Sequence, residues 1–312
     1  MRGLKFIVGY LISLVLSVNL YAQNVPEQFK LPITFIAVKD VEGKLKYNGT
    51  GFIASIPLDS ANLWLYLVTA KHVIVDEADN RLCDTIWVRI NSFENSSYVL
   101  PIELYGDGPD KDVYFHSDTS VDLAVIGITA NTTLLNFRSI GESSLFKSKT
   151  EFDTSYVKEG TNVFYTSMFS PYLGYKKNSP IVRFGKVSLI TDEKLLWDSA
   201  KNELANLFLV ETTTFGGNSG SPVFSYEMPF QLTDTSNHHN FSKDSTKMIG
   251  VIKGSYLENM PMGLKQTSAM VPTYTSNVGI SGVIPSYLLY EILHSDELER
   301  IRKNLTKKSK NK

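Results

Sequence analysis

The sequence contains very little cysteine: Cys83 is the only one among its 312 residues. An intramolecular disulfide is therefore impossible, and a chain of this length must stabilise its fold by core burial alone. Without a second thiol or a metal-ligand spacing, Cys83 is expected to be a small buried apolar residue with no catalytic role. Clusters of His and Cys are missing as well, so the sequence predicts no metal site and no cofactor.

An excess of basic charge, which marks many nucleic-acid-binding proteins, is also missing. The 31 Lys and Arg residues are balanced by 32 Asp and Glu residues, which gives a formal net charge of −1. Domains that bind nucleic acid usually carry a basic patch or stripe. We therefore expect no nucleic-acid partner.

Only one long apolar run is present, and it lies at the N-terminus. Arg2 and Lys5 precede an apolar stretch that ends at Ala22. A basic start, a short apolar stretch and a small residue at the end are the layout of a secretory signal peptide, here residues 1–22. The run is shorter than the roughly 20 apolar residues that span a bilayer, although an uncleaved anchor is the alternative. We expect an exported protein, periplasmic or secreted, with no integral membrane span after cleavage.

From residue 31 onward, short runs rich in Val, Ile, Phe, Tyr and Thr are broken by Gly, Pro, Asn and Asp about every ten residues, a texture that predicts β-strands. The first half, residues 31–130, contains six predicted strands, at 33–38, 51–56, 63–69, 85–90, 98–104 and 123–128. The second half, residues 156–285, contains six more, at 162–166, 181–190, 207–213, 222–225, 248–253 and 278–284.

The segments outside these halves have a different character. Residues 131–155 are polar and are predicted to connect the halves, and residues 226–247 are predicted to form a surface loop. Residues 286–312 are predicted to form an amphipathic helix followed by a basic tail. Because helices do not alternate with the strands, the sequence predicts an all-β fold of two packed antiparallel barrels or sandwiches with about six strands each, rather than a parallel α/β sheet.

The strongest chemical signal is the glycine-rich segment 215–224, Phe-Gly-Gly-Asn-Ser-Gly-Ser-Pro-Val-Phe. A nucleophilic hydroxyl must project from a backbone that also directs N–H groups at a developing oxyanion, and glycine allows the unusual dihedral angles that this requires. Ser219 would be the nucleophile, and the N–H groups of Gly217 and Ser219 would form the oxyanion hole. The alternative is an ordinary glycine-rich turn between strands.

Two further residues could complete a catalytic triad with Ser219. His72 follows directly on a predicted strand, where a rigid scaffold can hold an imidazole in one orientation. Asp122 opens a strand of aliphatic residues, so it needs a buried partner, and orienting a histidine is one such role. The alternatives are a histidine at a strand end and an aspartate that caps a strand. The chain order His, Asp, Ser is known for this constellation.

The other histidines and the neighbouring aspartates fit these roles less well. Asp112 and Asp118 do not lead directly into a predicted strand. The remaining histidines lie in a polar stretch, in the predicted loop or on the terminal helix. We interpret these four as solvated side chains: His116, His238, His239 and His294.

Four segments resemble those of bacterial trypsin-like serine peptidases, especially glutamyl endopeptidases and the protease domain of high-temperature-requirement proteins. They are Thr50-Gly51-Phe52, Thr69-Ala70-Lys71-His72-Val73, Asp122-Leu123-Ala124-Val125 and Gly217-Asn218-Ser219-Gly220-Ser221-Pro222. The resemblance covers about residues 31–289. Ser221 stands where most trypsin-like enzymes have glycine, although glutamyl endopeptidases also show serine there.

The resemblance implies two perpendicular six-stranded barrels with the site in the cleft between them. It also implies that His72 is the general base, that Asp122 orients it and that Ser219 is the nucleophile. In this family the residue before the scissile bond is read by the segment that precedes the serine and by the strand that follows it. These segments supply Thr213, Ile252 and Gly254 as the predicted substrate-binding residues.

The predicted pocket carries no charge of its own. Thr213 offers a hydroxyl, and Ile252 stands at the position where glutamyl endopeptidases have a histidine that helps to bind the substrate carboxylate. Lys253 is expected to face away if Ile252 lines the pocket, because successive strand residues point to opposite faces. We therefore predict a preference for small or medium apolar residues before the scissile bond, since burying a carboxylate without a cation is costly.

The sequence leaves three functions open. The first is a serine endopeptidase that acts on polypeptides through an acyl-enzyme. The second is an esterase with the same triad. The third is an inactive scaffold that binds peptides or partner proteins. The sequence does not indicate an oligomeric state or a natural substrate.

Overall fold

The computed structural model describes residues 25–59, 62–75, 81–105, 113–198, 201–226, 246–261 and 273–310. The strands of its first half are β1 (Ile33–Lys39), β2 (Leu45–Pro57), β3 (Leu63–Ala70), β4 (Thr85–Asn91), β5 (Ser97–Glu103), β6 (Val113–Phe115), β7 (Leu123–Ile128) and β8 (Ile140–Gly141). Those of its second half are β9 (Asn162–Ser167), β10 (Ile181–Leu189), β11 (Leu195–Asp198), β12 (Glu203–Ala205), β13 (Phe208–Glu211), β14 (Pro222–Ser225), β15 (Met248–Pro261) and β16 (Thr273–Pro285).

The first half forms one curled sheet in the order β5-β4-β1-β2-β3-β7-β6, and β8 pairs with β2. All neighbours along this path are antiparallel, whereas β8 runs parallel to β2. Both faces are covered: Phe35 of β1 packs into one apolar cluster and Ile36 into another. Because both faces of the sheet are covered at β1, the sequence of this strand is a nearly continuous run of apolar residues. In the described part, β5 and β6 end the path, so the sheet is a half-barrel.

The second half forms a closed six-stranded barrel in the order β10-β13-β16-β15-β14-β9. Its strands carry fully buried aromatic and aliphatic side chains, such as Phe164, Phe208 and Val251. Closure removes exposed strand edges, so this half needs no covering layer to protect them. Together the closed barrel and the curled half-barrel are a trypsin-like two-barrel fold, and the predicted all-β class is confirmed.

All twelve predicted strands correspond to strands of the structure, but the short elements between them were not predicted. The most important is the hairpin of β11 and β12, which forms a separate two-stranded sheet. Its apolar run at 195–197 is only three residues long and is followed by Asp198, Lys201 and Glu203, so it is too short to mark a core strand. The segment 131–155, predicted as a connection, carries β8 and a short helix, α1 (Lys149–Asp153).

Two helices follow the second barrel, where one was predicted: α2 (Ser286–Leu293) and α3 (Asp296–Lys310). The apolar side chains of α2, among them Leu289 and Ile292, are buried in the core. His294 leaves the helical conformation with φ −107° and ψ 17°, which ends α2. The side chain of His294 stacks on Tyr290 and contacts Glu142 at 2.7 Å.

The interpretation of His116 and His294 as solvated side chains is wrong. The side chain of His116 is only 11% exposed and contacts Glu291 of α2 at 2.9 Å, while His294 contacts Glu142. These pairs fasten the helix to the rest of the chain. The sequence signal was misleading because the carboxylate partners lie 175 and 152 residues away along the chain.

Several predictions lie outside the described residues. They are the signal peptide at residues 1–22, residues 227–245 of the predicted loop, Asp112, and the last two residues of the basic tail. The boundaries of the predicted halves stay predictions. None of the described helices is long and apolar enough to cross a membrane.

Candidate active site

His72 is placed by the end of β3 and by a short 3-10 turn, Lys71–Val73, that follows it. The backbone N–H of Lys71 donates to the carbonyl oxygen of Asp122 at 3.1 Å, and the backbone N–H of His72 donates to Asp122 Oδ1 at 3.0 Å. The imidazole Nδ1 lies 2.6 Å from Asp122 Oδ2. Backbone and side chain of His72 therefore both bind one aspartate, and this fixes the ring.

Asp122 lies immediately before β7 and is buried. Burial alone would raise the pKa of its carboxyl group, but the hydrogen bond and charge of His72 and the ammonium of Lys253 outweigh it and lower the pKa to about 2. The group is therefore a carboxylate at neutral pH. Because a carboxylate only accepts hydrogen bonds, His72 Nδ1 must be the donor, which leaves Nε2 as the nitrogen that can accept a proton.

Ser219 sits on a turn whose backbone requires glycine at two positions. Gly217 has φ +93° and Gly220 has φ +87°, in the left-handed region that side chains disfavour. A Cβ on Gly217 would lie 2.4 Å from Met168 Cε, and a Cβ on Gly220 would lie 2.1 Å from the carbonyl oxygen of Thr50. The left-handed backbone therefore disfavours a side chain at both positions, and at Gly220 the backbone of Thr50 leaves no space for one.

The side chain of Asn218 stabilises the turn through three hydrogen bonds. Its Oδ1 accepts from the backbone N–H of Phe215 at 2.8 Å, and its Nδ2 donates to Ser167 Oγ at 2.7 Å and to the carbonyl oxygen of Met168 at 2.8 Å. The side chain is only 1% exposed, so these bonds are shielded from water. The turn that carries Ser219 is therefore tied to the end of β9.

Thr50 of β2 connects the first half to the turn. Its hydroxyl donates to the carbonyl oxygen of Gly217 at 2.7 Å, and its backbone N–H donates to the carbonyl oxygen of Ser219 at 2.9 Å. Thr69 of β3 in turn donates to the carbonyl oxygen of Thr50 at 2.8 Å. The strand that leads to His72 and the turn that carries Ser219 are thus held together through one threonine.

A cavity of about 520 Å³ brings the three predicted residues together, and its lining includes His72, Asp122 and Ser219. The His72 side chain is 45% exposed, so the ring is accessible from the cavity. The Ser219 hydroxyl donates to the carbonyl oxygen of Lys253 at 2.8 Å. One wall of the cavity is formed by the hairpin of β11 and β12.

The sequence analysis did not place Lys253 beside Asp122. The register of β15 against β16 shifts between Ile252 and Gly254, so Lys253 is the extra residue of a β-bulge. Its side chain is 7% exposed, and its Nζ donates to Asp122 Oδ2 at 2.9 Å and to Glu203 Oε1 at 3.0 Å. A bulge changes where a side chain points without leaving a mark in the sequence, whereas the lysine in an apolar strand was a visible signal.

The three predicted substrate-binding residues have different environments. Gly254 lines the cavity with His72 and Ser219. Thr213 is half-buried, and its carbonyl oxygen accepts from the hydroxyl of Tyr165 at 2.9 Å. Ile252 is fully buried, and its backbone N–H donates to the carbonyl oxygen of Ser221. Their role in substrate binding stays a prediction.

Among the described residues, no three His, Cys, Asp or Glu side chains come close enough together to hold a metal ion.

Asp118, the described alternative to Asp122 in the sequence analysis, binds other residues. Its pKa is lowered to about 2, first by a hydrogen bond from Lys194 and also by bonds from Ser120.

No protein-family model matches the chain, and no curated protein matches it. Among solved structures, HBP, the heparin-binding protein, overlaps 86% of this chain and 92% of its own, with a TM-score of 0.43 and 12% identity. GrC, granzyme C, overlaps 91% of this chain and 98% of its own, with a TM-score of 0.42 and 13% identity. The fold class rests on the topology of the two halves.

Proposed function

We propose that the protein is a serine endopeptidase that cleaves polypeptides through an acyl-enzyme on Ser219. The observation that carries the proposal is the double hydrogen bond of His72 to the buried carboxylate of Asp122, in a cavity that also contains Ser219. An aspartate that fixes the tautomer and orientation of a histidine beside a serine is the arrangement that activates a hydroxyl.

The first half of the reaction uses each group in turn. Ser219 Oγ attacks the carbonyl carbon of the substrate while its proton moves to His72 Nε2, and Asp122 stabilises the imidazolium that forms. The N–H groups of Gly217 and Ser219 are the proposed donors to the oxyanion. Collapse of the intermediate breaks the C–N bond, and the proton on Nε2 passes to the leaving amine.

The second half of the reaction regenerates the enzyme. Water attacks the acyl-enzyme, its proton moves to His72 Nε2, and the ester bond to Ser219 breaks as that proton returns to Oγ. Before the first step the Ser219 hydroxyl must turn from the carbonyl oxygen of Lys253 toward His72. Catalytic hydrogen bonds often form only when substrate is bound, so the resting contact is compatible with this role.

The proposal also includes the location and the specificity. The signal-peptide pattern supports export to the periplasm or beyond it. The predicted preference for small or medium apolar residues before the scissile bond gains support from Lys253. Its ammonium is paired with Asp122 and Glu203, so it does not offer a cation to an acidic substrate residue.

Fluorophosphonate labelling of the mature protein, with mass-spectrometric mapping of the modified residue, tests the proposal. We expect the label on Ser219 in the wild type and no label and no turnover in Ser219→Ala. The matched control is Ser170→Ala, because this exposed serine donates to the carbonyl oxygen of Gly216 beside the same turn. Labelling and cleavage should survive in that variant.

A peptide library and a set of simple esters separate the alternatives in the same samples. Cleavage of peptides after small apolar residues is expected. Turnover of esters alone would indicate an esterase, and dominant cleavage after Glu would contradict the predicted pocket. If the folded wild type takes up no label and cleaves nothing, the chain is an inactive scaffold and the proposed function is wrong.

A further inference from the structure

Lys253 contacts two members of the proposed triad with two different parts of the residue. Its carbonyl oxygen accepts the hydrogen bond of Ser219 Oγ at 2.8 Å, and its ammonium donates to Asp122 Oδ2 at 2.9 Å. A buried ammonium is strongly destabilising unless it is paired. The pairing of Lys253 therefore constrains the position of the carboxylate as strongly as that of the lysine.

The hairpin of β11 and β12 supplies the other partners of this ammonium. Glu203 Oε1 lies 3.0 Å from Lys253 Nζ, and the ring centroid of Trp197 lies 5.2 Å from it, within the range of a cation–π contact. Trp197 packs against the backbone of the second barrel, because a Cβ on Gly282 would lie 2.6 Å from the ring and one on Gly254 would lie 3.2 Å from it. The hairpin thus covers the ammonium on one side while Asp122 binds it on the other.

We propose that Lys253 is a positioning residue of the active site, which holds Asp122 toward His72 and couples the carboxylate to the hairpin through Glu203. This inference rests on the proposed function. Asp122 receives three donors: the backbone N–H and Nδ1 of His72, and Nζ of Lys253. The two donors on Oδ2 come from opposite halves of the molecule. Without Lys253, the Asp122 carboxylate loses the only one of these three donors that does not belong to His72. The carboxylate can then rotate together with the imidazole ring.

The charges of the cluster explain the part of Glu203, which offsets the cation of Lys253. With His72 neutral, the cluster contains one cation, Lys253, and two carboxylates, Asp122 and Glu203. The net negative charge stabilises the imidazolium that forms when His72 takes the proton of Ser219. Removal of Glu203 would leave this charge balanced before the proton arrives, so a smaller stabilisation of the imidazolium is expected.

Kinetics of three lysine variants test the proposal: Lys253→Met, Lys253→Arg and Lys194→Met. We expect Lys253→Met to lower kcat about a hundredfold, the size of a displacement by about 1 Å, while KM changes little. Lys253→Arg should recover most of the loss, because it keeps the charge and the donors. Lys194 is the matched control: it also joins the hairpin to an aspartate, Asp118, at 2.8 Å, but it does not touch Asp122. Its replacement should leave kcat unchanged.

Two further measurements keep the test decisive if Lys253→Met unfolds. Glu203→Gln alters a side chain that is 40% exposed, so it should fold and lower kcat by roughly threefold to tenfold. The proton on His72 Nδ1 can also be followed by NMR, where a short bond to a carboxylate gives a strongly downfield resonance. We expect this resonance in the wild type and in Lys194→Met. In Lys253→Met and Lys253→Arg, the change of the resonance should parallel the change of kcat, so that the variant with the larger loss of kcat also shows the larger loss or shift of the resonance.

The outcomes separate this inference from the proposed function. Folded Lys253→Met and Glu203→Gln variants with wild-type kcat and an unchanged Nδ1 resonance would overturn the role of Lys253. If the wild type neither labels nor cleaves, the proposed function fails, and the resonance alone then decides. A resonance that depends on Lys253 would still support its hold on Asp122, and one that does not would refute it.

Discussion

The two halves of the molecule hold their parts of the candidate site by different means. In the first half, His72 and Asp122 stand at the ends of regular strands and bind each other directly. In the second half, Ser219 stands on a turn with two left-handed glycines, and Lys253 stands in a β-bulge. Regular backbone therefore places the acid–base pair, whereas irregular backbone places the nucleophile and the buried cation.

This difference indicates where each half is sensitive to change. A strand end tolerates many side chains, so loss of His72 or Asp122 should remove chemistry and leave most of the fold. The turn around Ser219 tolerates very few, because Gly217 and Gly220 have left-handed backbones and the backbone of Thr50 leaves no space for a Cβ on Gly220. Substitutions of the two left-handed glycines in this turn should therefore damage stability before they reach the chemistry.

The largest expected effect is that of Asp122→Asn on turnover. The amide keeps the shape of the side chain but cannot accept the Nδ1 proton in the same way, which leaves His72 in the wrong tautomer. From the known cost of this change in a serine protease triad, we expect kcat to fall about ten-thousandfold. Steady-state kinetics on the best library peptide measure it.

Asp118→Asn is the control for that prediction, because Asp118 also has a lowered pKa but is bound by Lys194 and Ser120 instead of His72. It should retain kcat close to the wild type. Equal losses in the two variants would mean that the site does not depend on one aspartate, and the contrast between the halves would then be unsupported.

The features that could be predicted from the sequence are divided in a similar way, between local signals and features that arise only from strand pairing. The strand ends at His72 and Asp122 and the glycine pattern around Ser219 are local signals, so the fold class and the three candidate residues could be found. The bulge at Lys253 arises from the pairing of β15 with β16 and has no local signal. Glu203 is remote in sequence from both partners of its cluster, and its hairpin carries no apolar periodicity.

The second prediction concerns the backbone of the turn. Gly220→Ala adds a Cβ 2.1 Å from the carbonyl oxygen of Thr50 and forces alanine to φ +87°. Left-handed strain of roughly 1–2 kcal/mol and overpacking of roughly 1–3 kcal/mol together predict a loss of about 4 kcal/mol in the free energy of unfolding. Urea denaturation measures this loss.

Gly43→Ala provides the matched control, because Gly43 has φ +79° in a surface turn and, apart from its chain neighbours, no atom lies within 4 Å of the position that a Cβ would take. Only the conformational strain should appear there, about 1 kcal/mol. If both variants lose the same free energy, the contact with Thr50 contributes nothing, and the turn is less constrained than its geometry indicates.

The smallest predicted effect is the loss of unfolding free energy at low pH that results from protonation of Asp122. Its folded pKa of about 2 lies below the ordinary value of 3.8, so the fold favours the carboxylate. The stabilisation is therefore fully present above pH 4 and is lost as the pH falls through about 2. The difference between the two pKa values corresponds to roughly 2 kcal/mol.

Urea denaturation of the wild type and Asp122→Asn at several pH values between 5 and 2 isolates this contribution, because exposed carboxylates such as Asp192 and Glu299, whose pKa values are also lowered, act equally in both proteins. The wild type should lose about 2 kcal/mol more than the variant over this range. Parallel curves would show that Asp122 is not held as a carboxylate, and the buried cation of the second half would then have no measurable hold on the acid–base pair of the first.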